Sequence, residues 1–370
     1  QNRLSVVNTP AGLFWMSQNQ GKVFSLASGV KELSNINLKW WFAQYLPYRL
    51  TQSFPNFSLL DNPVIGIGCQ AMYNNEDGLI YFCKRDYSLR TDITETLTYI
   101  VGTNRFTVVE TGAPVVLGDP NFFDDASWTA SYDPKTEGWL SYHDWHPTLN
   151  MPGKNTFMTV NPFDKRSIWI HNKRCDLYCN YYDVDYPFEV EFMVNTPDVI
   201  NTLRNVQYIM EAYKYADNCY DRFHELDYNF DEAVIYNTEQ VSGLLKLNIS
   251  PKNDPIGILA YPIVNVTDID ILFSKEENKY RFNQFWDVTD DRGEFFNPTI
   301  PGFAQRPIWD TAPNGYVRVL NPVNLNYSKN VFQRKKFRHY TTSVLLRKKI
   351  SGDKKILTML ANTKDLYSPR

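Results

Sequence analysis

The stretch Ser127–Pro147, SWTASYDPKTEGWLSYHDWHP, limits the possible folds of this chain more than any other. Trp128, Ala130 and Tyr132 alternate with Thr129 and Ser131, the period-two pattern of a half-buried strand. Asp133-Pro134-Lys135-Thr136-Glu137-Gly138 follows, with proline to pre-set φ and glycine to supply positive φ, so the chain reverses there. Trp139, Ser141 and His143 then alternate with Leu140, Tyr142 and Asp144 on the return. The spacing predicts a hairpin loaded with aromatic side chains.

Two weaker copies precede it. Leu13–Leu26 turns at Asn19-Gln20-Gly21, and Cys69–Lys84 turns at Asn74–Gly78. The turn glycines Gly21, Gly78 and Gly138 lie 57 and 60 residues apart. A strand-turn-strand unit recurring at that interval predicts β-propeller-like blades with long inserts over residues 1–150. A propeller needs at least about four blades. The chain also opens QNRLSVVNTP, without Met. It therefore reads as a piece of a longer polypeptide.

Composition agrees with β structure. Twenty-four Tyr, 23 Phe and nine Trp stand against 14 Ala, and 34 Asn add turn capacity. Helices are expected to be few. Ser34–Leu46 has helical spacing at Ile36, Trp40 and Ala43, with Ser34 or Asn35 as cap and Pro47 as stop. Its run Trp40-Trp41-Phe42 implies burial nearly all round. Ser274-Lys-Glu-Glu277 has the capping-box form and predicts a short helix to Phe285 or Trp286.

From His146 to Lys165 the chain is irregular, and a boundary near 150 is expected there. Residues 151–370 read as a mixed-β or β-sandwich-like domain. Its expected strands are Phe188–Val194, Val206–Tyr215, Ala233–Tyr236, Leu244–Ile249, Gly315–Leu320, Tyr340–Arg347 and Ile356–Ala361. Breaks are expected at Pro251–Pro262 and Asn297–Gly315.

Chemistry-bearing motifs are sparse. There is no phosphate loop, dinucleotide fingerprint, nucleophile elbow or HExxH. His171, Cys175 and Cys179 fall four residues apart but lack a fourth ligand and CxxC spacing, so packing without a metal is preferred. His143-Asp144-Trp145-His146 offers a base with an orienting carboxylate, but no nucleophile or second carboxylate stands at an informative spacing. Ser131-Tyr-Asp133 with Gly138-Trp139 departs from the sialidase Asp-box in loop length, and Asp133-Pro134 reads better as the turn. No enzymatic activity and no cofactor are expected. The five Cys make no disulfide framework, and no apolar run approaches the ~18 residues of a membrane span.

Charge is segregated beneath a net −3. Val331–Arg370 carries a local +9, and from Asp183 to Gln240 13 acids face three bases. Arg334, Lys335, Lys336 and Arg338, interleaved with Phe337 and Tyr340, suit either nucleic-acid phosphates or an acidic partner surface. Docking on an acidic partner, for instance the 183–240 segment of another copy, is the preferred reading. Trp128, Trp139 and Trp145 are the expected structural anchors.

Several phrases point to a family. WTASYDPKTEGWLSYHDWHP, SIWIHNKRCDLYCNYY, YPFEVEF, NCYDRF, DEAVIYNTEQVSGLLKLN, FSKEENKYRFNQFWDVTDDRGEF and FQRKKFRHY…SGDKK resemble the C-terminal portion of the tail muzzle, or nozzle, proteins of crAss-like bacteriophages. The resemblance covers Trp128 to the C-terminus closely and identifies no active site. It implies a virion component at the distal end of a short tail, assembled in the host cytoplasm. It also implies a ring, commonly hexameric, around the DNA conduit, in contact with neighbouring tail proteins and transiently with genomic DNA. A carbohydrate-binding or carbohydrate-cleaving receptor-recognition propeller is the alternative, with exposed Trp and Tyr at blade ends stacking on sugars.

Overall fold

The computed structural model describes residues 3–36, 38–154, 156–164, 166–171, 179–195, 199–215, 222–224, 229–237, 240, 242, 244–249, 268–276, 279–283, 285–287, 336–348 and 356–368. The chain is mainly β, as its aromatic-rich, alanine-poor composition requires. It divides into two compact units, the first running to Lys173 and the second starting at Arg174. Among the described residues no helix is long and apolar enough to cross a membrane.

The first unit opens with an antiparallel meander of four strands: β1 (Val6–Thr9), β2 (Gly12–Ser17), β3 (Lys22–Leu26) and β4 (Val30–Glu32). The reversal between β2 and β3 is a short 3-10 turn closed by Gly21 at φ 62°. A Cβ on Gly21 would lie 2.8 Å from the Cα of Ala43, so both the left-handed backbone and the close approach of the following helix demand glycine.

That helix is shorter than its sequence suggests, α1 (Lys39–Tyr45), and is followed by one turn, α2 (Leu50–Ser53). Ser34 does not cap it. Its hydroxyl donates to Glu32 Oε1 at 3.0 Å and accepts the Val23 N–H at 3.4 Å, so this segment extends the meander instead. Leu46, just before Pro47, ends α1 as expected. Burial all round is also corrected: Phe42 is fully buried, Trp41 is half-buried and Trp40 is 81% exposed. Two residues along a helix turn the side chain by about 200°, so Trp40 and Phe42 point to opposite sides.

Next come β5 (Gly68–Tyr73), β6 (Ile80–Arg85), β7 (Tyr87–Leu89), β8 (Leu97–Tyr99), β9 (Arg105–Val108), β10 (Pro114–Val116), β11 (Phe123–Asp125), β12 (Trp128–Asp133) and β13 (Gly138–His143). Both expected hairpins form here, but they are halves of a single sheet ordered β13-β12-β6-β5. Trp128 pairs with Lys84 and Tyr132 with Ile80. The interval between Gly78 and Gly138 therefore holds an insertion, carrying the β7–β11 pair and the β8–β9–β10 sheet, and is not a blade period. The reason is burial. The side chains of β6 and β12 are buried almost throughout, and a lone two-stranded hairpin cannot cover both of its faces. Among the described residues no propeller closes.

The strands β14 (Leu149–Pro152), β15 (Phe157–Val160) and β16 (Ile168–Ile170) form a further antiparallel sheet within the first unit. Gln70 on β5 ties it down. Its Nε2 donates to the carbonyls of Pro147 (3.4 Å) and Thr148 (3.1 Å), and its Oε1 accepts the Asn150 N–H at 2.9 Å.

In the second unit a tight hairpin, β17 (Asn180–Tyr181) and β18 (Val184–Asp185), turns through Tyr182 and Asp183, both at positive φ as a primed turn requires. The remaining strands are β19 (Phe188–Asn195), β20 (Asn201–Tyr215), β21 (Arg222–His224), β22 (Glu232–Tyr236), β23 (Leu244–Ile249), β24 (Asp268–Glu276), β25 (Lys279–Phe282), β26 (Arg338–His339), β27 (Thr341–Lys348) and β28 (Ile356–Ser368). They join in one sheet, β19-β27-β22-β23-β24-β25-β20-β21, with β26 and β28 also pairing with β20. The β23–β24 ladder is parallel and its neighbours antiparallel, so the described strands make a mixed sheet where a sandwich was one expectation.

The capping-box helix does not exist. Ser274–Glu276 is strand and pairs with Lys279–Arg281. Tyr280 and Phe282 are buried while Lys279 and Arg281 are exposed, so the period in KYRF is two, and ladder pairing on both sides of β24 outweighs the local cap motif. The segments Pro251–Pro262, Asn297–Gly315 and Gly315–Leu320 lie outside the described residues.

Candidate assembly site

The three anchoring tryptophans are held within their own unit. Trp128, 2% exposed, donates from Nε1 to the Tyr45 carbonyl at 3.1 Å and meets the Trp41 ring edge-on at 4.9 Å. Trp139, half-buried, donates to the Leu33 carbonyl at 3.2 Å and packs on Phe42 at 4.7 Å. Both indoles thus clamp α1 and the segment before it onto the β12–β13 hairpin, each with its polar edge satisfied. Trp128→Phe keeps most of the packing and removes one buried hydrogen bond. It is expected to cost about 1 kcal/mol, read as a lowered urea midpoint with unchanged slope; a loss beyond about 3 kcal/mol would mean that the indole's shape matters more than its donor.

Trp145, also 2% exposed, belongs to a second cluster. Its ring lies 5.4 Å from Tyr81, 5.3 Å from Phe157 and 4.9 Å from His171, and His171 stacks on Phe157 at 4.2 Å. His143 closes the group 5.3 Å from Tyr81. Burial lowers the His143 pKa to about 4 and the His171 pKa to about 3, so both imidazoles are neutral near pH 7. His171 Nε2 and Thr159 Oγ1 share a 2.8 Å hydrogen bond, while His143 Nε2 is buried without a hydrogen-bond partner. His146 faces Asp125 at 3.6 Å. The cluster that read as a possible acid–base site is thus built as the packing between β6, β13 and the β14–β16 sheet.

Two other motif residues take local roles. Asp133 accepts the Lys135 N–H and the Thr136 hydroxyl, each at 2.8 Å, organising its own turn. Of the His171, Cys175 and Cys179 trio, Cys175 lies outside the described residues, and Cys179 sits half-buried at φ 52°. Among the described residues no group of three or more His, Cys, Asp or Glu is placed to hold a metal ion.

The basic stretch is described in part. Arg334 and Lys335 lie outside the described residues, while Lys336 and Arg338 are exposed on either side of the fully buried Phe337. Strand alternation sends Phe337 into the core and the two cations outward. Gln240 fixes this segment: its Nε2 donates to the Lys336 carbonyl at 3.1 Å, and its Oε1 accepts the Arg338 N–H at 2.8 Å.

In β27 the acidic complement of two cations lies in the same chain. β27 sits between β19 and β22. Arg347 pairs with Glu189, and Lys348 pairs with Asp231 at 2.7 Å. Tertiary pairing thus joins the basic and acidic blocks that lie far apart in the chain.

Sequence reasoning missed one buried pair. Lys84 and Asp86, 2.6 Å apart with side chains 1% and 0% exposed, sit beneath the α1–α2 connection. Two charges flanking Arg85 at a strand end look like a solvated terminus, and no local pattern marks them otherwise. No known protein-family model matches the chain, and no curated protein is detectably related to it.

Proposed function

We propose that this chain is a structural component of a phage tail, part of a muzzle or nozzle ring around the DNA ejection channel, and that it acts mechanically rather than as an enzyme. The observation that supports the reading most is where its chemistry-bearing side chains go. The tryptophans and histidines that stand out in the sequence, and two cations of its basic C-terminal block, are taken up in holding strands and helices together. Rigid β units with closely packed aromatic cores suit a conduit that must keep its shape under load. The phrases from Trp128 onward that resemble crAss-like muzzle proteins support the same reading.

Electron microscopy of the purified chain, with mass measurement in solution, tests it. Closed rings of uniform copy number are the expected result, and a monomer at every concentration tried would count against the ring. A second reading, carbohydrate recognition, is favoured by the exposed Trp40 indole on α1, a flat apolar surface of the kind sugars stack on. Glycan-array binding lost in Trp40→Ala would support that reading instead.

A further inference from the structure

Pairing around β20 gathers cations that the sequence scatters over 134 positions, from Arg204 to Arg338. Leu203, Val206, Tyr208 and Met210 face the core, so Thr202, Gln207 and Ile209 lie on the opposite, outer face. Between Leu203 and Val206 the strand bulges at Arg204, whose side chain is exposed. Along one edge of this strand Thr202 pairs with Arg338, Gln207 with Arg281 and Ile209 with Lys279. Arg338, Arg281 and Lys279 are exposed on that outer face, and Lys336 and Arg204 are exposed beside them. The Arg281 guanidinium lies along the sheet, donating to Gln207 Oε1 from Nε (3.2 Å) and Nη2 (2.7 Å). On the other flank the register sets Lys364 of β28 opposite Gln207. Acids accompany the row: Glu276 is in register with Lys279, Glu211 accepts the Tyr213 hydroxyl at 2.6 Å, and Asp365 is in register with Val206. At the other end Gln240, which holds the Lys336–Arg338 backbone, also donates to Asp287 at 3.4 Å.

We infer that the outer face of β20, β25 and β26 is a binding surface for the phosphate backbone of nucleic acid. From Thr202 to Ile209 the strand advances roughly 20 Å at about 3.3 Å per residue. That length matches about six phosphates of one strand of a duplex, spaced about 3.4 Å along the axis. Between the cations lie Thr202, Gln207 and Ile209, three side chains with no aromatic ring among them of the kind that anchors protein–protein contacts. A row of charge without base-reading geometry implies binding that is electrostatic and indifferent to sequence. The inference stands on the pairing around β20 and does not rest on the tail-nozzle reading.

The test is a salt titration of the full chain against a labelled, mixed-sequence DNA duplex. Contacts from Arg204, Arg281, Lys336 and Arg338 predict a log–log slope of about −3.6, a loss of roughly a hundredfold in affinity between about 50 and 200 mM salt. The double variant Arg204→Ala/Arg338→Ala should lower the slope magnitude by about two. Arg204→Lys/Arg338→Lys should keep it, since the charges remain. All four positions are exposed, and circular dichroism checks that the variants fold. Absence of binding at the lowest salt, or an unchanged slope in the alanine variant, overturns the inference. So does binding of polyglutamate, but not DNA, that the alanine variant loses, because the face would then take an acidic protein.

Discussion

Asp86→Ala is expected to destabilise the first unit by about 3–5 kcal/mol, because it strands a buried cation. Lys84 Nζ reaches the carbonyls of Tyr45 (2.8 Å) and Pro47 (2.9 Å) at the C-terminal end of α1. Asp86 accepts the N–H groups of Arg49 (2.6 Å) and Leu50 (3.3 Å) at the start of α2, and that of Tyr87 at 2.9 Å. Each charge therefore satisfies backbone groups that a helix end leaves open, a cation on the carbonyl end and an anion on the amide end. The pair bolts the α1–α2 connection to the end of β6. Removing the carboxylate leaves an ammonium 1% exposed and at least two amides without their acceptor. Replacing both partners, Lys84→Met with Asp86→Leu, should cost less than the two single changes together, since no isolated charge remains. Urea unfolding followed by tryptophan fluorescence reads the cycle. A loss below about 1 kcal/mol for Asp86→Ala would show that the pair contributes no more than a surface ion pair.

The second large effect is with pH. His143 and His171 titrate in the folded chain near pH 4 and 3, below the ordinary histidine value of 6.5, because burial penalises the charged rings. Asp77 pulls His143 upward, and His146 pushes it down. A depressed histidine pKa means that the unfolded chain takes up protons before the folded chain does. Stability is therefore full above about pH 6.5 and falls as the pH drops toward 4. Each tenfold difference in proton affinity between the unfolded and folded chain is worth about 1.4 kcal/mol. With His143 only half-buried and the two rings close enough to repel once charged, roughly 3–5 kcal/mol should be lost by pH 4. His171→Phe preserves the stack on Phe157 and should flatten this slope, whatever it costs at neutral pH by leaving Thr159 without the ring nitrogen. Equal slopes in the parent and His171→Phe between pH 6.5 and 4 would show that the buried imidazoles do not control the acid response.

Features carried by a few neighbouring residues were legible in the sequence. Gly21 and Gly78 mark their turns by positive φ, and Asp133 marks its own by side-chain hydrogen bonds, because these are properties of the residues themselves. The expectation for Gly138 is corrected, since Glu137 takes the positive φ (54°) and Gly138 already begins the return strand. Alternation in WTASY and FEVEF marks strands because one face of each must find an apolar surface. Pro47 marks the end of α1 because it cannot donate. Misreadings began where local signals competed with pairing. Ser274–Glu277 has the letters of a helix start, yet Ser274–Glu276 continues a strand that β23 pairs as far as Phe273 and is itself claimed by β25.

The order of residues alone makes this protein β-rich and places the reversals of its hairpins. These follow from side-chain shape, backbone freedom and periodicity, which act over a few residues. Which strands are neighbours, and with that the meaning of the charges, is set by long-range pairing. Pairing of β12 with β6 turned an apparent repeat into one sheet with an insertion. Insertion of β27 between β19 and β22 matched Arg347 and Lys348 to acids more than a hundred residues away. Pairing along β20 set Arg338 and Arg281 in one row. A charge interacts with whatever lies within a few ångströms of it in a medium of given polarity. Neither that distance nor that burial is a property of the residue alone.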